Sequence, residues 1–140
     1  MKTLLLDLNV VLDVILDRQP GVVAAARLWA ALERGEGRGV LPGHGLTTIF
    51  YVLEKSRGAS FARQSVERLL TVFGVAPVDE AAIRRALVYA WPDFEDAVCA
   101  SSAVGGDCDA IVSRDPSGYP DPPLPVIDPA TALNLLRTIS

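Results

Sequence analysis

The chain has 140 residues, of which 50% are hydrophobic and 21% are charged, and its formal net charge at pH 7 is −4. This length suits one domain with its own core, and the high hydrophobic content excludes a disordered chain. The acidic balance argues against a protein that binds nucleic acid through a broad basic face, because neutralising phosphates normally supplies most of that affinity. We therefore expect residues 1–140 to form a single folded domain.

The apolar segments are too short to cross a membrane. The longest of them, 22–26 and 46–53, fall far below the roughly 20 residues that a transmembrane helix requires. The two cysteines, Cys99 and Cys108, are too few for a disulfide framework or a zinc site. We therefore expect a cytoplasmic protein without a membrane span.

The first half of the chain alternates apolar runs with periodic segments. A strand is predicted over 3–8, where an apolar run ends at Asp7 and Asn9. Helices are predicted over 10–16 and 22–32, because apolar residues recur there every three or four positions. A short strand at 39–42 precedes an amphipathic helix over 46–55, and Ser60 is the expected cap of a helix that ends at Phe73.

The second half continues the same alternation. A strand over 75–78 is followed by a helix over 79–90, capped by Asp79, and by a helix over 93–104. A strand at 110–113 leads into a proline-rich loop, and a strand at 126–127 and a helix from Pro129 close the chain. Strands separated by helices predict an α/β fold: a three-layer sandwich with a mainly parallel central sheet flanked by helices. Such sheets bind ligands beyond the carboxyl ends of their strands.

Aspartates stand where ligands of such a sheet bind. Asp7 and Asp115 each follow a predicted strand, and Asp93 and Asp96 begin a helix. Each close pair of carboxylates costs about 1 to 4 kcal/mol in repulsion, so a cation must offset their charge. Mg²⁺ or Mn²⁺ prefers oxygen ligands and needs neither histidine nor cysteine. The sequence therefore predicts a Mg²⁺ or Mn²⁺ site at this edge of the sheet.

Several polar residues have a second interpretation. Asp93 is also a good helix cap, and Asp115 could simply start a turn. Asp13 lies on the first predicted helix, where we expect it to be solvated or to support the metal ligands without contacting the metal. His44 precedes a helix and is expected to cap it or to lie at the surface. Arg114 could touch phosphate or pair with an acid.

Three segments resemble the signatures of the PIN domain family: LLDLNVVLD at 5–13, DFEDA at 93–97 and IVSRD at 111–115. The resemblance covers about residues 3–119 and is closest to small prokaryotic PIN proteins, including the VapC-type toxin ribonucleases of toxin–antitoxin pairs. It implies a PIN-like fold and a Mg²⁺-dependent ribonuclease that cuts single-stranded RNA. It also implies that Asp7, Asp96 and Asp115 are the catalytic residues and hold the metal.

The resemblance implies supporting residues and reveals one departure. Asn9 stands where the family often has Ser or Thr, and Ser113 and Arg114 are expected to support the site. Thr48 occupies the position where family members usually carry a further acid, and Asp93 could supply the missing charge. The implied partners are an RNA substrate, an antitoxin protein and a second copy of the chain in a homodimer.

An alternative is a PIN fold that binds RNA or a protein partner without cutting. Thr48 and the low isoelectric point, about 4.9, both favour it. The apolar stripe of Ile49, Tyr51, Val52 and Leu53 is interpreted as core or dimer contact, with an antitoxin groove as the alternative. The arginines that could guide an RNA backbone are Arg34, Arg38, Arg57, Arg63 and Arg114.

Overall fold

The computed structural model describes residues 1–138 of the chain. The strands are β1 (Thr3–Leu6), β2 (Arg38–Pro42), β3 (Gly74–Ala76), β4 (Ala110–Val112) and β5 (Val126–Ile127). The α-helices are α1 (Leu8–Ile15), α2 (Val22–Glu33), α3 (Gly43–Arg57), α4 (Ala59–Val72), α5 (Glu80–Tyr89), α6 (Phe94–Gly105) and α7 (Pro129–Arg137), and a 3₁₀ turn covers Pro116–Gly118. Within residues 1–138, no helix combines the length and the hydropathy needed to cross a membrane.

The strands form one five-stranded sheet in the order β3-β2-β1-β4-β5, and every neighbouring pair is parallel. The central strand is β1, where Leu5 pairs with Val40 of β2 on one side and with Ile111 of β4 on the other. The helices provide the crossover connections that parallel strands require. The predicted parallel sheet is confirmed.

Alternate residues of β1 face two different cores. Leu4 and Leu6 belong to the larger core, which also contains residues of α1 to α4 and α7. Leu5 points to the other face and packs in a second core with Ala100 of α6 and Ile111 of β4. Both faces of the sheet are thus covered by helices, which confirms the predicted three-layer α/β sandwich.

Aspartates define the starts of several helices. Asp79, Asp93 and Asp128 each accept a hydrogen bond from the backbone N–H three residues later, at 2.9, 3.1 and 2.8 Å. A cap of this kind stabilises a helix by about 1 kcal/mol. The predicted caps at Asp79 and Asp93 are therefore confirmed as local structure.

The predicted cap at Ser60 is wrong. Helix α4 already begins at Ala59, and the residue before it, Gly58, makes no side-chain cap bond. Gly58 has φ +89° and also ends α3, so this single residue joins the two helices. Glycine adopts such a positive φ without the steric cost that other residues bear. The tight connection leaves no room for a separate capping residue.

Candidate functional site

The strand order predicts a ligand-binding edge of the sheet at the carboxyl ends of β1 and β4. The strands that follow β1 in the chain, β2 and β3, lie on one side of it, and β4 and β5 lie on the other side. The direction in which strands are added therefore reverses at β1. Ligands of parallel sheets bind at such a reversal point. Asp7 follows β1 directly, and its backbone N–H donates to the carbonyl oxygen of Val112 in β4 at 2.9 Å. The residues that follow each strand therefore lie next to each other.

Asp7 is partly buried at the start of α1. Its Oδ2 accepts a hydrogen bond from the hydroxyl of Tyr119 at 3.0 Å, and its Oδ1 accepts one from the backbone N–H of Asn9 at 3.4 Å. Burial raises the pKa of Asp7, although these bonds and the charge of Arg114 act in the opposite direction. The surroundings therefore do not fully offset the cost of burying this charge.

Asp96 is partly buried in the first turn of α6. Burial, together with the carboxylates of Asp93, Asp7 and Glu95, raises its pKa from 3.8 to about 6. Tyr119 links the beginnings of α1 and α6, because its hydroxyl donates to Asp7 and lies 3.5 Å from Sγ of Cys99, three residues after Asp96 on α6. The carboxylates of Asp7 and Asp96 therefore lie near the same edge of the sheet and repel each other. A divalent cation would relieve this repulsion, and oxygen ligands are those that Mg²⁺ and Mn²⁺ prefer. Asp7 and Asp96 thus fit such a cation.

Asp93 is exposed and acts as the N-cap of α6. Its Oδ1 accepts a hydrogen bond from the backbone N–H of Asp96 at 3.1 Å. The helix-cap interpretation is therefore confirmed. Its carboxylate also adds to the negative charge around Asp96, so the predicted metal role stays a prediction.

Asp115 follows β4, as predicted, but its carboxylate contacts its own loop. Its Oδ1 accepts a hydrogen bond from the hydroxyl of Ser117 at 2.7 Å, and its backbone N–H donates to the buried Ser113 Oγ at 3.1 Å. Among residues 1–138, no three His, Cys, Asp or Glu side chains are grouped to hold one metal ion. The carboxylate of Asp115 therefore does not form a group of three metal ligands with Asp7 and Asp96 among residues 1–138.

Asp13 is buried, and its side chain is only 2% exposed. Its Oδ1 accepts hydrogen bonds from Arg18 Nε at 2.9 Å and from Arg114 Nη1 at 2.8 Å. Of the two roles expected for Asp13, a solvated charge is wrong, because two guanidinium groups pair with the carboxylate inside the fold. Support of the metal ligands by Asp13 stays a prediction. Of the two roles considered for Arg114, pairing with an acid is observed. Sequence reasoning missed Arg18, whose loop carries no periodic pattern.

The comparison with known proteins agrees with this architecture. A sequence model described as the PIN domain matches residues 3–117 of the chain. The chain belongs to the PIN domain family. No curated protein is significantly similar to it in sequence.

Solved structures share the fold of this PIN domain. VapBC2 from Rickettsia felis, bound to a DNA fragment from its promoter, has a TM-score of 0.70 at 11% identity, covering 90% of this chain and 97% of that one. VapBC from Salmonella typhimurium, also bound to DNA, has a TM-score of 0.68 at 19% identity, with 92% and 99% covered. VapC20 from Mycobacterium tuberculosis, described as a toxin that cleaves the sarcin–ricin loop, has a TM-score of 0.64 at 17% identity, with 77% and 86% covered.

Tyr119 contacts the candidate site of this PIN domain, and sequence reasoning missed it. It lies just beyond the segment that the family model matches, is 5% exposed, and packs edge-on against Trp91 with 5.8 Å between ring centroids. Its hydroxyl donates to Asp7 and lies 3.5 Å from Cys99 Sγ. Burial raises the pKa of Tyr119, so the hydroxyl keeps the proton that it donates. A single tyrosine in a proline-rich loop offers no sequence signal for this role.

The remaining predicted residues lie in the first halves of α1 and α3. Thr48 lies on α3 and is partly exposed, and Asn9 Oδ1 accepts a hydrogen bond from Arg18 Nη2 at 3.4 Å. His44 lies in the first turn of α3, and both ring nitrogens are buried without a hydrogen-bond partner among the described residues. The expected surface or capping role of His44 is therefore wrong. The α3 N-cap position belongs to Pro42, which makes no side-chain cap bond.

The apolar stripe on α3 divides between core and surface. Ile49 and Leu53 are buried in the larger core, which confirms the core interpretation for them. Tyr51 is 55% exposed, and Lys55 Nζ lies 4.9 Å from the centre of its ring. One face of α3 thus packs into the larger core, and Tyr51 lies beside this face at the surface.

Proposed function

We propose that this PIN domain is a metal-dependent endoribonuclease that hydrolyses RNA phosphodiester bonds, and that it is the toxin of a type II toxin–antitoxin pair. The observation that carries the proposal is the contact of the Tyr119 hydroxyl with both Asp7, after β1, and Cys99, three residues after Asp96 on α6, which places the two acids near each other. Burial also raises the pKa of each acid. Acids with perturbed pKa values are typical of functional sites. Membership of the PIN domain family supports the reaction class.

The metal would be Mg²⁺ or Mn²⁺, held by Asp7 and Asp96 with Asp115 and Asp93 as further candidates. A bound divalent cation supplies a Lewis acid for the phosphate and lowers the pKa of a water molecule. Mg²⁺ usually keeps several waters and needs only one or two carboxylates besides substrate phosphate. The hydrogen bond from Tyr119 to Asp7 holds that carboxylate in place before any ligand arrives.

An apolar cavity supports the proposed antitoxin partner. A groove of about 440 Å³ lies between α1, α2 and α4, and its walls include Val14, Trp29 and Phe61, with Glu33 and Arg68 as charged members. We assign it to an apolar segment of the antitoxin, because a related fold has been solved as a toxin–antitoxin complex from Klebsiella pneumoniae (TM-score 0.66, 16% identity). The predicted homodimer and cytoplasmic location stay predictions.

A second candidate is a PIN module that binds RNA or protein without cleaving. It is favoured by Thr48 at the position where the family usually has an acid and by Asp115, whose carboxylate accepts from Ser117 rather than joining the other acids. Cleavage and binding assays separate the two candidates, because only the nuclease loses a measured activity when a metal ligand is removed.

The test is cleavage of a panel of single-stranded and structured RNAs in Mg²⁺ or Mn²⁺. We expect cleavage that stops with EDTA and with Asp7→Asn, while Asp107→Asn retains it. Asp107 is a matched control, because it is an exposed aspartate that precedes β4, at the opposite edge of the sheet. Cleavage that survives EDTA or Asp7→Asn would contradict the proposal. RNA binding by the wild type without any cleavage would favour the second candidate.

A further inference from the structure

Two arginines share one buried carboxylate oxygen. Arg18 lies in the loop between α1 and α2, whereas Arg114 follows β4, and both donate to Oδ1 of Asp13, at 2.9 and 2.8 Å. Because the two guanidinium groups bond to the same atom, they must lie side by side. Asp13 thus joins two segments that are distant in the chain.

This cluster carries a net positive charge that reaches solvent. It contains two guanidinium groups and one carboxylate, in a chain whose formal net charge is −4. The side chains of Arg18 and Arg114 are 35% and 48% exposed, whereas that of Asp13 is 2% exposed. Each guanidinium has five N–H donors, and only part of this capacity is used by Asp13. The cations of the cluster are therefore accessible to an external anion, and its carboxylate is not.

The cluster lies beside Asp7, one of the two acids of the candidate site. Arg114 is two residues beyond Val112, whose carbonyl oxygen accepts from the backbone N–H of Asp7 at 2.9 Å. Arg18 Nη2 lies 3.4 Å from Oδ1 of Asn9, and the backbone N–H of Asn9 donates to Asp7. The charge of Arg114 also lowers the pKa of Asp7. The positive and negative groups therefore share one edge of the sheet.

We propose that Arg18 and Arg114 form a binding subsite for a backbone phosphate of single-stranded RNA, and that Asp13 is the positioning residue that aligns them. The subsite deepens the proposed function, on which it rests, because it places RNA next to Asp7 and Asp96. It also explains how an acidic protein without a broad basic face can bind RNA. Guanidinium groups match phosphate geometry, since they donate two parallel hydrogen bonds.

The other oxygen of Asp13 is confined by the backbone. A Cβ atom on Gly21 would lie 2.5 Å from Asp13 Oδ2, so only glycine allows the start of α2 to approach so closely. This contact limits the rotation of the carboxylate, while the two arginines hold its Oδ1. The alignment of Arg18 and Arg114 therefore depends on a carboxylate that the fold itself keeps in place.

The test is RNA binding in the full-length Asp7→Asn background, which removes cleavage under the proposed function. The probe is a fluorescent random-sequence pool of single-stranded RNA, and its affinity is measured by anisotropy over a series of salt concentrations. Arg18→Gln and Arg114→Gln are compared with Arg137→Gln. Arg137 is a matched control, since it is 54% exposed and pairs at 3.4 Å with Glu36, which lies just before β2 at the opposite edge of the sheet.

We expect Arg18→Gln and Arg114→Gln each to weaken RNA binding about tenfold at low salt, the effect of losing one charged hydrogen bond. Each should also reduce the slope of log affinity against log salt by about 0.7, the contribution of one phosphate contact. Arg137→Gln should leave both quantities near those of the background protein. Equal losses in all three variants, or no RNA binding at all, would overturn the subsite.

The Asp13→Asn variant distinguishes two effects of Asp13 on RNA binding, the alignment of the arginines and the repulsion of RNA by its negative charge. Removal of a negative charge alone should tighten RNA binding, whereas loss of alignment should weaken it, and we expect it to weaken. Thermal melting identifies a temperature at which this variant is folded. If the variant does not fold, the two arginine variants alone test the subsite.

Two outcomes distinguish the subsite from the proposed function. If the wild type cannot cleave RNA but its RNA binding depends on Arg18 and Arg114, the subsite stands and the nuclease proposal fails. RNA cleavage by a protein whose Arg18 and Arg114 variants bind RNA as Arg137→Gln does would keep the nuclease proposal and end the subsite.

Discussion

The N-cap carboxylate of α1 and a carboxylate within α1 lie in different surroundings. Asp13, in the second half of the helix, is buried against Arg18 and Arg114, which neutralise its charge. Asp7, at the start of the helix, is held by a hydroxyl and backbone N–H groups, and burial raises its pKa. The difference separates their roles. The fold supplies the counter-charge of Asp13, whereas under the proposed function a metal ion supplies that of Asp7.

The largest expected effect is on activity at Asp7. Asp7→Asn should reduce RNA cleavage by more than about 100-fold, because even the outer partners of a metal site typically contribute 10- to 100-fold. The folded protein should be as stable as the wild type or more so, since the substitution removes a charge that burial penalises. Initial cleavage rates and urea unfolding measure the two effects. A variant that cleaves normally but unfolds more easily would show that Asp7 is structural.

The opposite result is expected at Asp13. Asp13→Asn should lower the free energy of unfolding by about 2 kcal/mol, because it breaks charged hydrogen bonds to two arginines. The cost is below that of a fully buried pair, since Arg18 and Arg114 can be solvated after the change. Urea unfolding beside Asp7→Asn makes the comparison directly. If both variants lose the same stability, the distinction between the two carboxylates fails.

Tyr119→Phe should produce a smaller change. It removes the 3.0 Å hydrogen bond to Asp7 while keeping the ring that packs against Trp91. We expect Mn²⁺ affinity and cleavage to fall about tenfold, at the low end for a partner that orients a metal ligand. Tyr51→Phe is the control, because Tyr51 is 55% exposed. Equal behaviour of the two variants would remove Tyr119 from the site.

The smallest expected effect is the pH dependence that Asp96 confers on stability. Its pKa is raised from 3.8 to about 6, so between these values the folded state binds more protons than the unfolded state. The contribution of Asp96 to the free energy of unfolding therefore falls as the pH rises through this window. Urea unfolding in EDTA measures this effect. As the pH rises from about 4 to about 6, the wild type should lose stability relative to Asp96→Asn. Mg²⁺ should reduce this difference in stability between the two proteins. A gain by wild type over the same range would contradict the assigned surroundings.

Local signals in the sequence were sufficient for most of the fold. Apolar periodicity and capping aspartates such as Asp79 placed the helices, and the alternation of strands with helices predicted the parallel sheet. The first strand was predicted through residue 8 but ends at Leu6, because Asp7 caps α1 and Leu8 begins it. The order of the strands could not be predicted, since periodicity does not determine which strand lies at the centre.

The site was less accessible from the sequence. Asp7 and Asp96 follow from their positions at the ends of predicted elements, although metal binding by them stays a prediction. The ion pair between Asp13 and Arg114 and the hydrogen bond between Asp7 and Tyr119 join residues that are far apart in the chain. Such contacts depend on how the α1 and β4 segments are placed in three dimensions. No local pattern specifies that placement.

The most direct test of the account is Mn²⁺ binding, followed by the electron paramagnetic resonance signal of free Mn²⁺ during a titration. The account predicts that wild type removes Mn²⁺ from solution, that Asp7→Asn and Asp96→Asn lose most of this binding, and that Asp107→Asn retains it. Wild-type protein that leaves the free Mn²⁺ signal unchanged, or an Asp7→Asn variant that binds as tightly as wild type, would contradict it.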